Sequence, residues 1–128
     1  RHGLGRRVRV LQSDVYDALG ARRYDIVVSN PPYVPDAEMR RLPCEHRAEP
    51  ALGLRAADAG LVVISRILAG AKRHLTPQGI LVVEAGNTER AVRRHWPALP
   101  FTWLEFERGG GGVFLLRAAE FPGSADVR

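Results

Sequence analysis

Apolar residues along this chain change period several times, and each period predicts an element. Leu61, Ile64, Leu68, Ala71 and Leu75 recur at gaps of 3, 4, 3 and 4, the stripe of an amphipathic helix lying on a sheet. Pro77-Gln78-Gly79 is expected to stop that helix. Tyr24 to Ser29 contains three consecutive β-branched residues, Ile26, Val27 and Val28, and predicts a strand covered on both faces. Ile80 to Gly86 predicts a second buried strand, and Val8 to Leu11 a short one that stops at Gln12-Ser13-Asp14. Asn87 or Thr88 can cap another helix running to about His95. Phe101 to Phe106 and Val113 to Leu116 flank Gly109 to Gly112, the pattern of an antiparallel pair closing a sheet edge. Strand and helix alternate, so the expected class is α/β. Residues 34 to 57 carry Pro35, Pro43, Pro50 and Gly53 and predict a long loop with one helical turn at Asp36 to Leu42, a length typical of lids and binding loops. The end of the chain after Phe121 predicts a frayed tail.

Composition narrows the class without changing it. With 128 residues, 45% of them hydrophobic and 26% charged, the chain can bury one core and is not a disordered segment. It has no apolar run near the roughly 18 residues that a spanning helix needs, and nothing in it reads as a signal peptide, so a cytoplasmic protein without membrane contact is expected. One cysteine, Cys44, allows neither an internal disulfide nor a cysteine-clustered metal site and reads as a packing residue; no metal is expected. Residues 1 to 23 hold six arginines against Asp14 and Asp17, so +4 of the net +5 lies there. Such a segment can contact RNA, although 18 arginines against the single Lys72 also fit an arginine-rich composition overall.

Chemistry concentrates where the strand Tyr24 to Ser29 ends, at Asn30-Pro31-Pro32-Tyr33. Two prolines cannot continue a ladder, and each forces its predecessor out of the helical region. Ligands of open α/β sheets bind beyond the carboxyl ends of strands, which is where this tetrapeptide falls. Its plain structural counterpart is a rigid turn with a loop-capping Asn, but background composition gives this tetrapeptide roughly one chance in a few thousand in a chain this long. The side-chain oxygen of Asn30 and the carbonyl of Pro31 can each accept one N–H from a planar amide or amine. That localises a lone pair otherwise delocalised. Tyr33 can stack on the flat group and hold it in line with a sulfonium methyl, so catalysis is mostly orientation and electrostatic fit.

With these residues in place the chain resembles the class I S-adenosylmethionine methyltransferases that carry Asn-Pro-Pro-Tyr, and within them the protein glutamine methyltransferases of the ribosomal branch. The resemblance runs through Tyr24 to Val34, Leu42-Pro43, Glu45, Arg47, Glu49 to Leu54, Arg66-Ile67-Leu68, Leu75-Thr76-Pro77, Gly79 to Glu84, Gly86-Asn87 and Phe101 to Phe106. It implies a partial Rossmann-like sheet, third strand onward, ending in an antiparallel hairpin. It implies one domain, residues 1–118, as the C-terminal part of a catalytic domain, with 119–128 as a tail. S-adenosylmethionine is the implied cofactor and a glutamine-bearing loop of a large-subunit ribosomal protein the implied partner. Asn30, Pro31, Pro32 and Tyr33 match the catalytic and substrate-holding motif, with Asn30 also beside the cofactor. Asp14 and Val15 match positions lining the adenine pocket, and Glu49 bounds the substrate loop or is a capping or surface glutamate.

Departures accompany the match. The glycine-rich loop after the first strand and the ribose-binding carboxylate after the second are not found in these residues, since no strand precedes Gly3 and Gly5; the expectation is a fragment that is inactive alone. Ala48 and Ala59 stand where the resemblance implies a His and an Asp, and Gly111 where it implies an Asp; glycine tolerates the same turn. Three other functions stay open: a release-factor glutamine methyltransferase, a nucleic-acid adenine or guanine amino-methyltransferase, and an inactive truncated binding module. The implied strand order is 3-2-1-4-5-7-6, which separates residues 8 to 11 from Tyr24 to Ser29 by two strands. That gap is expected to expose the apolar faces of Ile26, Val27 and Val28, and residues 8 to 11 are expected either to stand apart unpaired or to pair non-natively beside Tyr24 to Ser29.

Overall fold

The computed structural model describes residues 3–31 and 60–122. They form a four-stranded open sheet with helices, of mixed α/β content. The strands are β1 (Tyr24–Ser29), β2 (Leu75–Glu84), β3 (Thr102–Leu104) and β4 (Val113–Arg117), and the helices are α1 (Gly60–His74) and α2 (Glu89–His95). Sheet order is β1-β2-β4-β3, with β1 parallel to β2 and the other neighbours antiparallel. The glycine-rich connection therefore joins an outer strand, β3, to an inner one, β4.

The helical stripe is buried as its spacing predicts: Leu61, Ile64, Leu68, Ala71 and Leu75 all join the core, together with Ile67. On the sheet the core takes Leu81 and Val83 from β2 and Leu116 and Phe114 from β4. Leu81 faces Leu116 and Val83 faces Phe114 in register, so all four project from one face, as the two-residue period of a strand requires. Lys72, Arg73 and His74 fill the last turn of α1, where the charges of Lys72 and Arg73 suit the helix dipole. Arg23 Nη1 donates to the carbonyls of Lys72 (3.3 Å) and Leu75 (2.9 Å), satisfying acceptors left open at the helix end.

Boundaries depart from the sequence expectation for local reasons. α1 stops at His74, before Pro77, and β2 starts at Leu75 because Leu75 already pairs with Tyr24. The ladder then breaks and resumes at Ile26 opposite Ile80, so Pro77 lies in the irregular stretch, where its missing N–H removes no ladder bond. A side chain at Gly79 would come within 2.8 Å of the Tyr24 carbonyl. Thr88 holds the N-cap position of α2, but its hydroxyl donates back to the Ala85 carbonyl (2.7 Å) and caps nothing. Gly112, at φ +70°, brings its carbonyl to the N–H groups of Ala85 (2.6 Å) and Gly86 (3.1 Å), and a Cβ there would collide with Gly86. Gly111 does not have positive φ. Ala118 and Phe121 are buried in the core, and Lys72 Nζ donates to the carbonyls of Phe121 (3.2 Å) and Pro122 (3.0 Å).

Two expectations need correction. Residues 8–11 form no strand: Val8 and Val10 are 55% and 90% exposed, and the segment stands apart from the sheet, the unpaired alternative. A strand is defined by its partner, and no described strand edge is paired with this segment. β1 is not covered on both faces. It is an outer strand of the described sheet, with Ile26 and Val28 61% and 72% exposed, as the implied strand order expects, while Val27 packs against the core and departs from that expectation. A run of β-branched residues carries no period of its own, so it cannot say which side is open.

Candidate functional site

Three segments enclose a cleft of about 510 Å³ at the carboxyl end of β1. The turn before β1 supplies Ser13, Asp14, Val15, Tyr16 and Leu19; β1 and its end supply Val27, Val28, Ser29, Asn30 and Pro31; α1 supplies Val63 and Ile67. Pro31 is buried and Asn30 exposed, so the rigid residue anchors the strand end while the amide side chain stays accessible.

The turn is built around Ser13 and held by α1. Ser13 Oγ accepts from the Ala18 N–H (2.9 Å) and donates to the Val15 carbonyl (3.1 Å), a local closure that serine favours over regular structure. Val15 has φ +51°, a left-handed conformation that a β-branched residue adopts only under constraint. Its neighbours supply that constraint. Arg66 Nη1 and Nη2 donate to Asp14 Oδ1 and Oδ2, each at 2.9 Å. Tyr16 Oη donates to the Ile67 carbonyl (3.1 Å), its ring lies where a side chain at Gly70 would be, and it stacks on His74 at 4.5 Å and 7°. His74 in turn donates from Nδ1 to the Arg22 carbonyl (3.1 Å). Burial pushes the Tyr16 phenol up to about 12, and the hydrogen bond with Asp14 raises Arg66 above its ordinary value.

Of the residues singled out from sequence, Asp14, Val15, Asn30 and Pro31 therefore meet in one cleft. Pro32, Tyr33 and Glu49 lie outside the described residues, as do Cys44, Ala48 and Ala59. Arg66, Tyr16 and Ser13 escape the sequence reading. Arg66 and Ile67 stand in a stretch that carries the resemblance, but a helix period predicts only which positions are apolar, not which long side chain reaches back across 52 residues. Among the described residues no group of three or more His, Cys, Asp or Glu could hold a metal ion, and no helix is long and apolar enough to cross a membrane.

Over about nine-tenths of its length the chain is homologous to protein glutamine methyltransferases. The relatives include proteins named ribosomal protein uL3 glutamine methyltransferase: those of Francisella tularensis and Xylella fastidiosa are 44% identical over 116 and 117 residues, 91% of this chain, and that of Xanthomonas campestris is 42% identical over 113 residues, 88% of it. The chain spans 37–38% of the length of these relatives. No family model and no solved structure matches it.

Proposed function

We propose that the protein carrying this chain transfers a methyl group from S-adenosylmethionine to the side-chain amide nitrogen of a glutamine in the large-subunit ribosomal protein uL3. The observation that carries this function is the meeting, in one cleft, of the Asp14-Val15 turn with Asn30-Pro31 at a strand's carboxyl end. The names of the relatives support the substrate. The order β1-β2-β4-β3 reads as 4-5-7-6, the second half of the order implied for this class of methyltransferase.

The donor set suits the cofactor. Aliphatic walls from Val15, Leu19, Val27 and Ile67 accept the faces of a flat base, and the Asp14 carboxylate at the same cleft can accept from an exocyclic amine. S-adenosylmethionine supplies an electrophilic methyl on a sulfonium. Asn30 accepts one amide N–H of the glutamine through its side-chain oxygen and the Pro31 carbonyl accepts the other, which turns the nitrogen lone pair toward that methyl. The methyl–sulfur bond would break as the methyl–nitrogen bond forms, leaving S-adenosylhomocysteine, and the N–H proton would be lost afterwards to water, so no strong base is required. The resemblance assigns Tyr33 to stack on the amide and Pro32 to stiffen the pair of acceptors, both roles resting on the sequence.

Asn30→Ala in the whole protein tests the assignment. Its oxygen acts mainly on the aligned amide, so methylation of uL3 should fall about 30- to 1,000-fold, equivalent to roughly 2–4 kcal/mol, while cofactor affinity stays within about threefold. A variant that methylates at the parent rate would leave the tetrapeptide a turn and nothing more.

A further inference from the structure

We propose that Arg66 is a positioning residue for the cleft: it fixes the plane of the Asp14 carboxylate, and through it the capacity of the site to select an adenine by its exocyclic amine. The inference rests on the adenine assignment made above and adds a residue from a different element to it.

Three observations carry it. Both guanidinium nitrogens engage both carboxylate oxygens at 2.9 Å, a fork-to-fork pairing that sets orientation as well as distance. Asp14 and Arg66 are exposed, with side chains 66% and 40% accessible, so the pair adds little to folding, and its geometry is the property left to explain. Val15, between Asp14 and Tyr16, is in a strained left-handed conformation, and consecutive residues of α1 hold the residues on either side of it: Arg66 takes Asp14 and the Ile67 carbonyl takes Tyr16. One turn of helix thus clamps both flanks of the strained residue that lines the cleft. Lysine in place of Arg66 keeps the charge and loses the fork.

The test measures binding to the whole protein by calorimetry, with S-adenosylhomocysteine and its hypoxanthine counterpart, in which a carbonyl replaces the exocyclic amine. The parent protein should prefer the adenine compound by about tenfold or more, and Asp14→Asn should reduce that preference. Arg66→Ala should bring the two affinities within about threefold by weakening the adenine compound selectively, with Arg66→Lys intermediate and the unfolding midpoint of each variant nearly unchanged. If Arg66→Ala retains the parent's preference while Asp14→Asn loses it, the adenine assignment stands and the role of Arg66 falls. Equal weakening of both compounds by Arg66→Ala would reduce Arg66 to a structural part and also overturns the proposal. A parent protein indifferent to the amine would overturn the adenine assignment itself, and this proposal with it.

Discussion

At the scale of single residues, Tyr16 shows how one side chain couples the cleft to the body of the protein. Its hydroxyl donates to the Ile67 carbonyl and its ring stacks on His74, so the phenol is held neutral and desolvated, up to about 12 against an ordinary 10. The folded pKa is raised above the unfolded one, so the associated stability is fully present below about pH 10 and is lost as pH rises from about 10 toward 12. Tyr16→Phe removes the titrating group. Denaturant unfolding of both proteins from pH 8 to 11.5 should show the parent losing stability relative to the variant above pH 10; a constant difference would mean that the phenol is not buried in solution. The turn chemistry around Tyr16 was only partly legible. Asp14 and Val15 could be marked from a resemblance, but the positive φ of Val15 could not, because valine is among the residues least inclined to adopt it.

Among elements, the contrast between α1 and β1 is the sharpest. Ile64 on α1 is 1% exposed and Ile26 on β1 61%, although both lie in runs that read as core. Ile64→Ala should cost about 2–5 kcal/mol through lost burial and a residual cavity, while Ile26→Ala should cost under about 0.5 kcal/mol in this 128-residue chain, as measured by urea unfolding. Comparable losses would mean that β1 is covered in solution. The helix was readable because a 3.6-residue period names its own buried face. The apolar run of β1 was readable by itself as a strand only, and its open side followed from the strand order that the resemblance implied. On α2, Arg93 pairs with Glu89 at 2.8 Å and lies 4.4 Å above the Trp103 ring, a link between α2 and β3 that no spacing in the sequence announces.

Across the whole molecule, the sheet brings residues distant in sequence to one end of β1, but the described residues supply only part of what a nucleoside cofactor requires. The cleft has aliphatic walls, a carboxylate and the Asn30-Pro31 acceptors. The glycine-rich backbone that would hold the amino-acid portion and the carboxylate that would hold a ribose are not found in the sequence. The 128-residue chain by itself should therefore bind S-adenosylmethionine weakly, with a dissociation constant above about 1 mM, equivalent to less than roughly 4 kcal/mol. Calorimetric titration checks this; tight stoichiometric binding would mean that the cofactor is held by residues other than those named.

What the sequence determined by itself is whatever depends on local period and local chemistry. The stripe of α1, the strand character of Ile80 to Glu84 and the end of β1 before Asn30-Pro31 follow from side-chain geometry over a few residues. Only the tertiary structure decided that Val27 is covered, that residues 8–11 pair with none of the described strands, that β2 begins five residues early by answering Tyr24, and that Arg66 reaches Asp14. Each of these is a relation between segments separated by many residues, where the outcome is set by what is available as a partner in space. A hydrogen-bond donor or an apolar face carries in its own sequence no record of the group that will meet it.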